Sequence, residues 1–169
     1  NFAGKLYFLI YDTDIDVAYF LGGSKPKQMG LDFSRNITSN SEIHGEISYT
    51  NGTKKKTTDK LGNISESKYN STIYLLGLRY LTESDITTIF EYYRNGMGFT
   101  SSELYNYYSF IDNAYESYIW SSEEALLEKA MILTEGVYGK PTSSMNYLYI
   151  RSSIKEPFNI LYFSPAITW

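Results

Sequence analysis

Charged or ionisable side chains occur singly inside short apolar segments of this chain, each with an apolar residue on at least one side. Seven residues show the pattern: Asp16, Asp32, His44, Glu46, Arg79, Glu91 and Arg151. Successive side chains of a β-strand point to opposite faces, so each charge and its apolar neighbours face opposite ways. The pattern therefore predicts strands with one apolar and one charged face. Such strands occur in soluble antiparallel sheets that are wet on one side, and in membrane barrels that are apolar outside and polar inside.

Eight segments are predicted to be strands, and most contain eight to eleven residues. They are Lys5–Asp12, Ile15–Gly22, Gln28–Asn36, Glu42–Thr50, Ser71–Leu81, Asp85–Arg94, Met145–Ile154 and Phe158–Ala166. This length exceeds the about five or six residues typical of soluble sheets and is close to the about 9–11 of a tilted membrane strand. The apolar face is recognisable from the second segment to the sixth, whereas the first segment is apolar on both faces.

The connections between these segments alternate in length. The odd-numbered ones are short: Thr13-Asp14, 36–41, Glu83-Ser84 and 155–157. The even-numbered ones are 23–27, 51–70 and 95–144, and they include both long loops. In an up-and-down barrel, odd and even connections lie at opposite ends, and outer-membrane barrels have short periplasmic turns and long extracellular loops. A soluble meander has no reason to separate its loops in this way, so the alternation favours the barrel.

Tyrosine is unusually frequent, with 18 residues in a chain of 169. Its apolar ring and polar tip suit the boundary between a membrane and water. Tyr11 and Tyr80 lie beside short turns, whereas Tyr49, Tyr74 and Tyr92 lie beside long loops. These five residues therefore predict two aromatic girdles, one at each end of the strands.

The longest connection contains the helical signals. A capping box at 100–103 and another at 121–124 each precede apolar residues at helical spacing, and Gly136 and 139–141 are predicted to end the second helix. The first stripe is Leu104, Tyr107, Tyr108, Ile111, Tyr115 and Tyr118, and the second is Leu126, Leu127, Ala130 and Ile132. We expect the helices to pack on each other or on the rim of the sheet; the alternative is a lid or plug that narrows a pore.

The middle loop carries three consecutive lysines within 53–57. We expect this segment to be a solvated basic tip. Contact with anionic lipopolysaccharide is the alternative.

Composition excludes several classes of function. A net charge of -4 and a pI near 5.0 do not suit a nucleic-acid-binding surface. The absence of cysteine excludes disulfides, thiolate metal sites and cysteine nucleophiles, and a single histidine argues against a zinc site. We expect no cofactor and no metal.

The longest apolar runs, Leu6–Tyr11 and Ile73–Leu78, fall far short of the roughly 20 residues of a transmembrane helix. The chain begins at Asn1, which we interpret as a processed or truncated end.

The sequence contains no residue pattern that is specific to a catalytic site. His44, Glu46, Ser48 and Glu42 share one strand face, but their spacing is that of any polar strand face and no nucleophile-elbow or oxyanion-hole pattern accompanies them. The three aspartates of 12–16 lack the glycine and the terminal glutamate of a calcium loop. We therefore expect that the protein is not an enzyme.

The charged residues of the predicted strands are better explained as the lining of a barrel than as a catalytic site. Inside a lumen, the acids would pair with the arginines across neighbouring strands, either filling the lumen or lining a channel. The alternative is charge on a solvated sheet face. We predict that all of these residues point to one side of the sheet, the lumen side: Asp16, Asp32, His44, Glu46, Arg79, Glu91 and Arg151.

Several segments resemble a family of uncharacterised bacterial outer-membrane β-barrel proteins of porin-like type. They are 11–17, 30–36, 44–46, 76–81, 91–96, 149–151 and 155–163. The likeness covers nearly the whole chain in order. It implies a bacterial outer-membrane location and a protein that continues on both sides of this segment, and it assigns no catalytic or binding residues.

These observations predict an all-β fold, an antiparallel up-and-down transmembrane β-barrel or a partial barrel of about eight strands. Residues 1–169 would form a single domain with a helical extracellular insertion at about 100–138. A closed eight-stranded barrel requires the first strand to pair with the eighth. The expected partners are the lipid bilayer, small hydrophilic solutes and no nucleic acid. The expected function is a porin-like passive channel for those solutes; a non-conducting structural or adhesion barrel acting through its extracellular loops is the alternative.

Overall fold

The computed structural model describes residues 1–23, 25–140, 143–154 and 165–168, and the statements below concern those residues. The strands are β1 (Phe2–Ile10), β2 (Thr13–Leu21), β3 (Lys27–Thr38), β4 (Ser41–Thr58), β5 (Ile64–Leu81), β6 (Ile86–Arg94), β7 (Asn146–Ile154) and β8 (Ala166–Thr168). The helices are α1 (Ser101–Ser121) and α2 (Glu124–Leu133), and α2 continues into a π-helical turn at Thr134–Tyr138. The eight strands form one antiparallel sheet in chain order.

The chain divides into two compact units. The sheet unit contains Asn1–Gly52, Asn70–Gly96 and Asn146–Trp169. The helical unit contains Thr53–Tyr69 and Met97–Met145, so that the distal part of the β4–β5 hairpin belongs with the helices. Each unit is described separately below.

The all-β antiparallel class is confirmed, but the sheet is not closed into a barrel. Among the described residues β8 pairs with β7 at Tyr149–Arg151, and β1 pairs with β2 alone. Most of the predicted eighth strand, Phe158–Ala166, lies outside the described residues.

The predicted middle loop at 51–70 is wrong, because most of it is strand. β4 runs on to Thr58 and β5 begins at Ile64, which leaves a connection of only a few residues. There the Asp59 carboxylate accepts hydrogen bonds from the backbone of Leu61 and Asn63, at 2.9 and 2.8 Å. Polar residues occupy both faces of this hairpin, so it lacks the apolar alternation by which the other strands were recognised. The lysines of 53–57 therefore lie on a strand and not at a loop tip.

The first turn is displaced by two residues from its predicted place at Thr13-Asp14. Tyr11 and Asp12 form it, both with positive φ, of 49° and 55°. Two consecutive left-handed residues are the geometry of the turns that join tightly paired antiparallel strands. Thr13 and Asp14 already belong to β2, where they pair with Ile10 and Leu9 of β1.

The helical unit contains a compact aromatic core. Tyr107 and Tyr138 stack with ring centroids 3.8 Å apart, and Phe99 stacks on Tyr138 at 4.3 Å. The remaining buried apolar residues of this core are Phe110, Ala114, Ala130 and Leu133. The predicted packing of α1 against α2 is confirmed, but three residues of the first predicted stripe and one of the second are wrong. Tyr108, Tyr115, Tyr118 and Ile132 are exposed, and Phe110, Ala114 and Leu133 are buried in their place.

The two helix starts differ from each other. Thr100 caps α1 with the predicted capping box, in which its side chain and that of Glu103 each bond to the backbone of the other. The second capping box is wrong: Glu123 is the N-cap of α2 and forms no side-chain cap bond. Ser122 is instead the left-handed C-cap of α1, which removes it from the start of α2. Gly136 lies within the π-helical turn, and the helix ends at Gly139.

Candidate functional site

The strand register places all of the predicted charges on one face of the sheet. Residues directly opposite each other in an antiparallel pair point to the same side. Asp16 of β2 faces Asp32 of β3, which faces Glu46 of β4. On the other half of the sheet Glu91 faces Gly77 and Tyr149, while Arg79 and Arg151 both face Ile89, so all of these point to one side. His44, on the face of Glu46, contacts Glu91 and joins the two halves. The shared face is confirmed; a role in lining a lumen stays a prediction.

We call this surface the charged face. Among the described residues of the sheet unit, six carboxylates lie on it, against three cationic side chains, as the register of each strand shows. The acids are Asp14, Asp16, Asp32, Glu42, Glu46 and Glu91, and the cations are Lys5, Arg79 and Arg151. The surface therefore carries an excess of negative charge.

The opposite surface, the apolar face, carries rows of large apolar side chains. One row crosses Leu6, Val17, Leu31 and Ile47, and another crosses Leu78, Phe90, Ile150 and Ile167. These side chains are exposed: Leu78 and Phe90, for example, are each 45% exposed. Among the described residues, every buried apolar side chain belongs to the helical unit. The described part of the sheet unit thus has a wide apolar face and no apolar core.

Four of the five predicted girdle tyrosines lie on the apolar face. Tyr49 pairs with Met29, Tyr92 pairs with Leu76, and Tyr74 and Tyr80 share the face of Leu76 and Leu78. The rings of Tyr74 and Tyr92 are 6.0 Å apart. Tyr11 lies in the first turn and is the most exposed of the five. Tyr74 and Tyr80 are six residues apart on β5, or about 20 Å along the strand. Their role as membrane girdles stays a prediction.

The ion pairs of the charged face differ from the predicted ones. Lys5 binds Asp16 at 2.7 Å, and the Tyr7 hydroxyl donates to Asp14. Arg79 binds Glu42 at 3.4 Å. Lys5 was missed because β1 is apolar on both faces, which hides its orientation. Glu42 was recognised as lying on this face but not as the partner of Arg79.

The row of three opposed carboxylates is only partly neutralised. Lys5 pairs with Asp16, but within the described part of the chain neither Asp32 nor Glu46 forms an ion pair. Both border a shallow open depression of about 140 Å³. The depression exists because the next row of the same face is Ala18, Gly30 and Ser48, which have small side chains. Like charges placed directly opposite each other on a sheet are destabilising, so this row is present at a cost in stability.

His44 lies at the centre of a second cluster. Its Nε2 is 3.1 Å from Glu91, and its Nδ1 is 3.6 Å from Glu42. The ring crosses β5 at Gly77, where any Cβ would overlap the imidazole. Because Glu42 also binds Arg79, four charged or ionisable side chains from three adjacent strands form one connected group.

The helical unit also contains ion pairs, which involve two of its lysines. Lys55 is only 12% exposed; its ammonium lies 2.9 Å from Glu103 and 3.2 Å from the carbonyl oxygen of Gly98. Burial acts to raise the pKa of Glu103, but hydrogen bonds from Thr100 and Lys55 outweigh it and hold that pKa below its ordinary value. Lys54 pairs with Glu66 at 2.8 Å. Two of the three lysines predicted to form a free basic tip are therefore engaged with carboxylates.

None of the helices in the described ranges is long and apolar enough to cross a membrane. Over the same residues, no group of three or more His, Cys, Asp or Glu side chains is placed to hold a metal ion. Comparison with known proteins gives no match: no family model, no curated protein and no solved structure is similar to this chain. The resemblance to outer-membrane barrels therefore stays a prediction from the sequence.

Proposed function

We propose that the sheet unit is part of the wall of a bacterial outer-membrane β-barrel, with its apolar face toward lipid and its charged face toward the lumen. We further propose that the barrel is a porin-like passive channel for small hydrophilic solutes. The observation that carries the proposal is the contrast between the two units. The helical unit buries an apolar core, whereas the sheet unit leaves its apolar side chains open.

A lipid environment accounts for this exposed face. Soluble proteins rarely expose large contiguous apolar patches, because each large side chain taken out of water contributes about 1.5–3 kcal/mol. Here the apolar rows cross all of the strands, from Leu6 on β1 to Ile167 on β8. β1, β2, β6 and β7 each contain nine residues, a length that spans the hydrocarbon layer when the strand is tilted.

The same reasoning requires a partner strand for β1. An unpaired strand edge in hydrocarbon leaves backbone groups without hydrogen bonds, and for this reason only closed barrels cross membranes as strands. β1 pairs with β2 on one side, so its other edge needs a strand in the assembled barrel. The barrel we propose is therefore closed through that edge.

The charged face supports the channel. A lumen wall whose described part carries six carboxylates and three cations repels anions and attracts cations, so the channel we propose favours small hydrophilic cations. Because Asp32 and Glu46 form no ion pair in the described part of the chain, they contribute most directly to this preference.

An adhesion barrel is the second candidate, and one observation favours it. Helix α1 exposes several aromatic side chains, among them Tyr105, Tyr115 and Trp120, of which Trp120 is 86% exposed. Aromatic residues on a surface are typical of recognition sites, so a barrel that acts through this unit would not need to conduct.

Single-channel recording on the full-length protein in planar bilayers separates the two candidates. The channel predicts discrete open steps and, in a salt gradient, a reversal potential of the sign for cations. Silence across voltages and salt concentrations would contradict the channel and leave the adhesion barrel.

A further inference from the structure

His44 is the only histidine in the chain, and its ring connects two strands that do not pair with each other. It starts on β4, crosses Gly77 of β5 and reaches Glu91 of β6, 3.1 Å from Nε2. Because Gly77 has no side chain, the imidazole of His44 can lie across β5 at that position. The contact therefore adds a side-chain link from β4 to β6 on top of the backbone pairing.

The surroundings of the ring are rich in carboxylates. On its own strand Glu42 lies 3.6 Å from Nδ1, and Glu46 is two residues further along the same face. From β6 comes Glu91. From β5 comes Arg79, which is held at 3.4 Å by Glu42. The flanking strands β3 and β7 also contribute neighbours. Ser34 of β3 lies opposite His44, and Tyr149 of β7 lies opposite Glu91. Arg151 lies two residues from Tyr149 on the same face.

The geometry leaves one ring nitrogen without a hydrogen bond. Nδ1 is buried and has no hydrogen-bond partner, although Glu42 lies near it. A neutral imidazole carries a single N–H, so it donates to one carboxylate and turns a lone pair toward the other. An imidazolium carries two N–H groups and donates to both. Proton uptake thus converts a one-sided contact into a bridge between Glu42 and Glu91.

We propose that His44 is a proton-operated clasp. When it is protonated, it donates to Glu42 and Glu91 at once, which strengthens the tie from β4 to β6 over Gly77 with a full charge and neutralises part of the charged face; when it is neutral, it donates to one carboxylate alone. Among side chains, histidine is the one that in general changes charge between about pH 5 and 8, and the test therefore compares two pH values within that range. The effect on conduction rests on the proposed channel, but the clasp itself does not.

Hydrogen exchange of the β4, β5 and β6 backbone amides tests the clasp directly. The whole protein, folded in lipid vesicles, is compared at pH 5.5 and pH 8, after correction for the intrinsic pH dependence of exchange. We expect the corrected protection around His44 and Glu91 to be about fivefold greater at pH 5.5, the scale of a partly exposed charge pair. The variants His44→Gln and Glu91→Gln should each lose that difference.

The matched control is Asp16→Asn, which removes a carboxylate of the same face that does not touch His44 and should keep the difference. Equal corrected protection of the wild-type protein at both pH values would overturn the clasp, whether or not the protein conducts and whether or not the variants fold. Retention of the full difference in His44→Gln would overturn it as well.

Conductance gives the second readout. If the channel conducts, its cation preference should fall between pH 8 and pH 5.5 in the wild type and stay constant in His44→Gln. A channel whose preference changes equally in both proteins would contradict the clasp. A silent bilayer refutes the proposed channel, and the hydrogen-exchange result then decides the clasp alone.

Discussion

Replacing Leu78 with arginine puts a charge in the middle of the apolar face. Leu78 lies on β5 between Tyr74 and Tyr80, in a row with Phe90 and Ile150, and it is 45% exposed. If this face contacts lipid, the arginine must enter hydrocarbon near the midplane. The expected loss in the free energy of unfolding is about 2–4 kcal/mol.

The matched control is Leu75→Arg, the same substitution on the same strand three residues away. Leu75 pairs with Tyr93 on the charged face. An arginine there enters the lumen, among excess carboxylates, so we expect its effect to stay within about 1 kcal/mol.

The assay is reversible urea unfolding of both variants and the wild type in vesicles of one lipid composition. The difference between the two losses decides the matter, because the general cost of introducing arginine cancels between them. Equal losses, or a larger loss for Leu75→Arg, would refute the assignment of the apolar face to lipid.

Three further predictions concern other residues. Glu46→Gln and Glu91→Gln should each lower cation preference without unfolding the barrel, and unchanged reversal potentials in a salt gradient would contradict this. The pKa of Glu103 is lowered, so its contribution to stability is complete above its ordinary pKa of about 4.5 and is lost as the pH falls through the lowered value. Thermal melts of the wild type should therefore show a decline in that window that Glu103→Gln lacks. The hydroxyl of Tyr138 accepts a hydrogen bond from the buried Thr58 amide at 2.9 Å. Tyr138→Phe should cost about 1–3 kcal/mol in chemical denaturation, and a neutral effect would mean that the amide finds another partner.

The alternation of apolar and charged residues was enough to predict most of the sheet. The pattern predicts each end of β2, β3 and β6 to within two residues, and the shared face of Asp16, Glu46 and Glu91 followed from the period of two alone. The hairpin at 53–69 was missed because both of its faces are polar; it is held by side-chain pairs such as Thr57 with Ser65, at 2.9 Å.

The contacts within the site were harder to predict than the faces. Parity along a strand fixes the side to which a residue points, but pairing partners depend on the register between strands. Thus Arg79 was expected to bind a residue of the predicted set and instead binds Glu42. The reach of His44 to Glu91 depends on a glycine in the strand between them, and the sequence contained no sign that Gly77 lies beneath the ring.

Spin-label accessibility along β6 tests the central claim most directly. The chain contains no cysteine, so a cysteine introduced at each position from Thr87 to Tyr93 can be labelled singly in the protein folded in vesicles. Our account predicts a period of two. Labels at Thr88, Phe90 and Tyr92 should collide with membrane-dissolved oxygen, and labels at Ile89 and Glu91 should collide with a water-soluble nickel chelate. Equal access of both reagents to both faces, or an apolar face shielded from oxygen by protein, would contradict the claim that this sheet is a membrane wall.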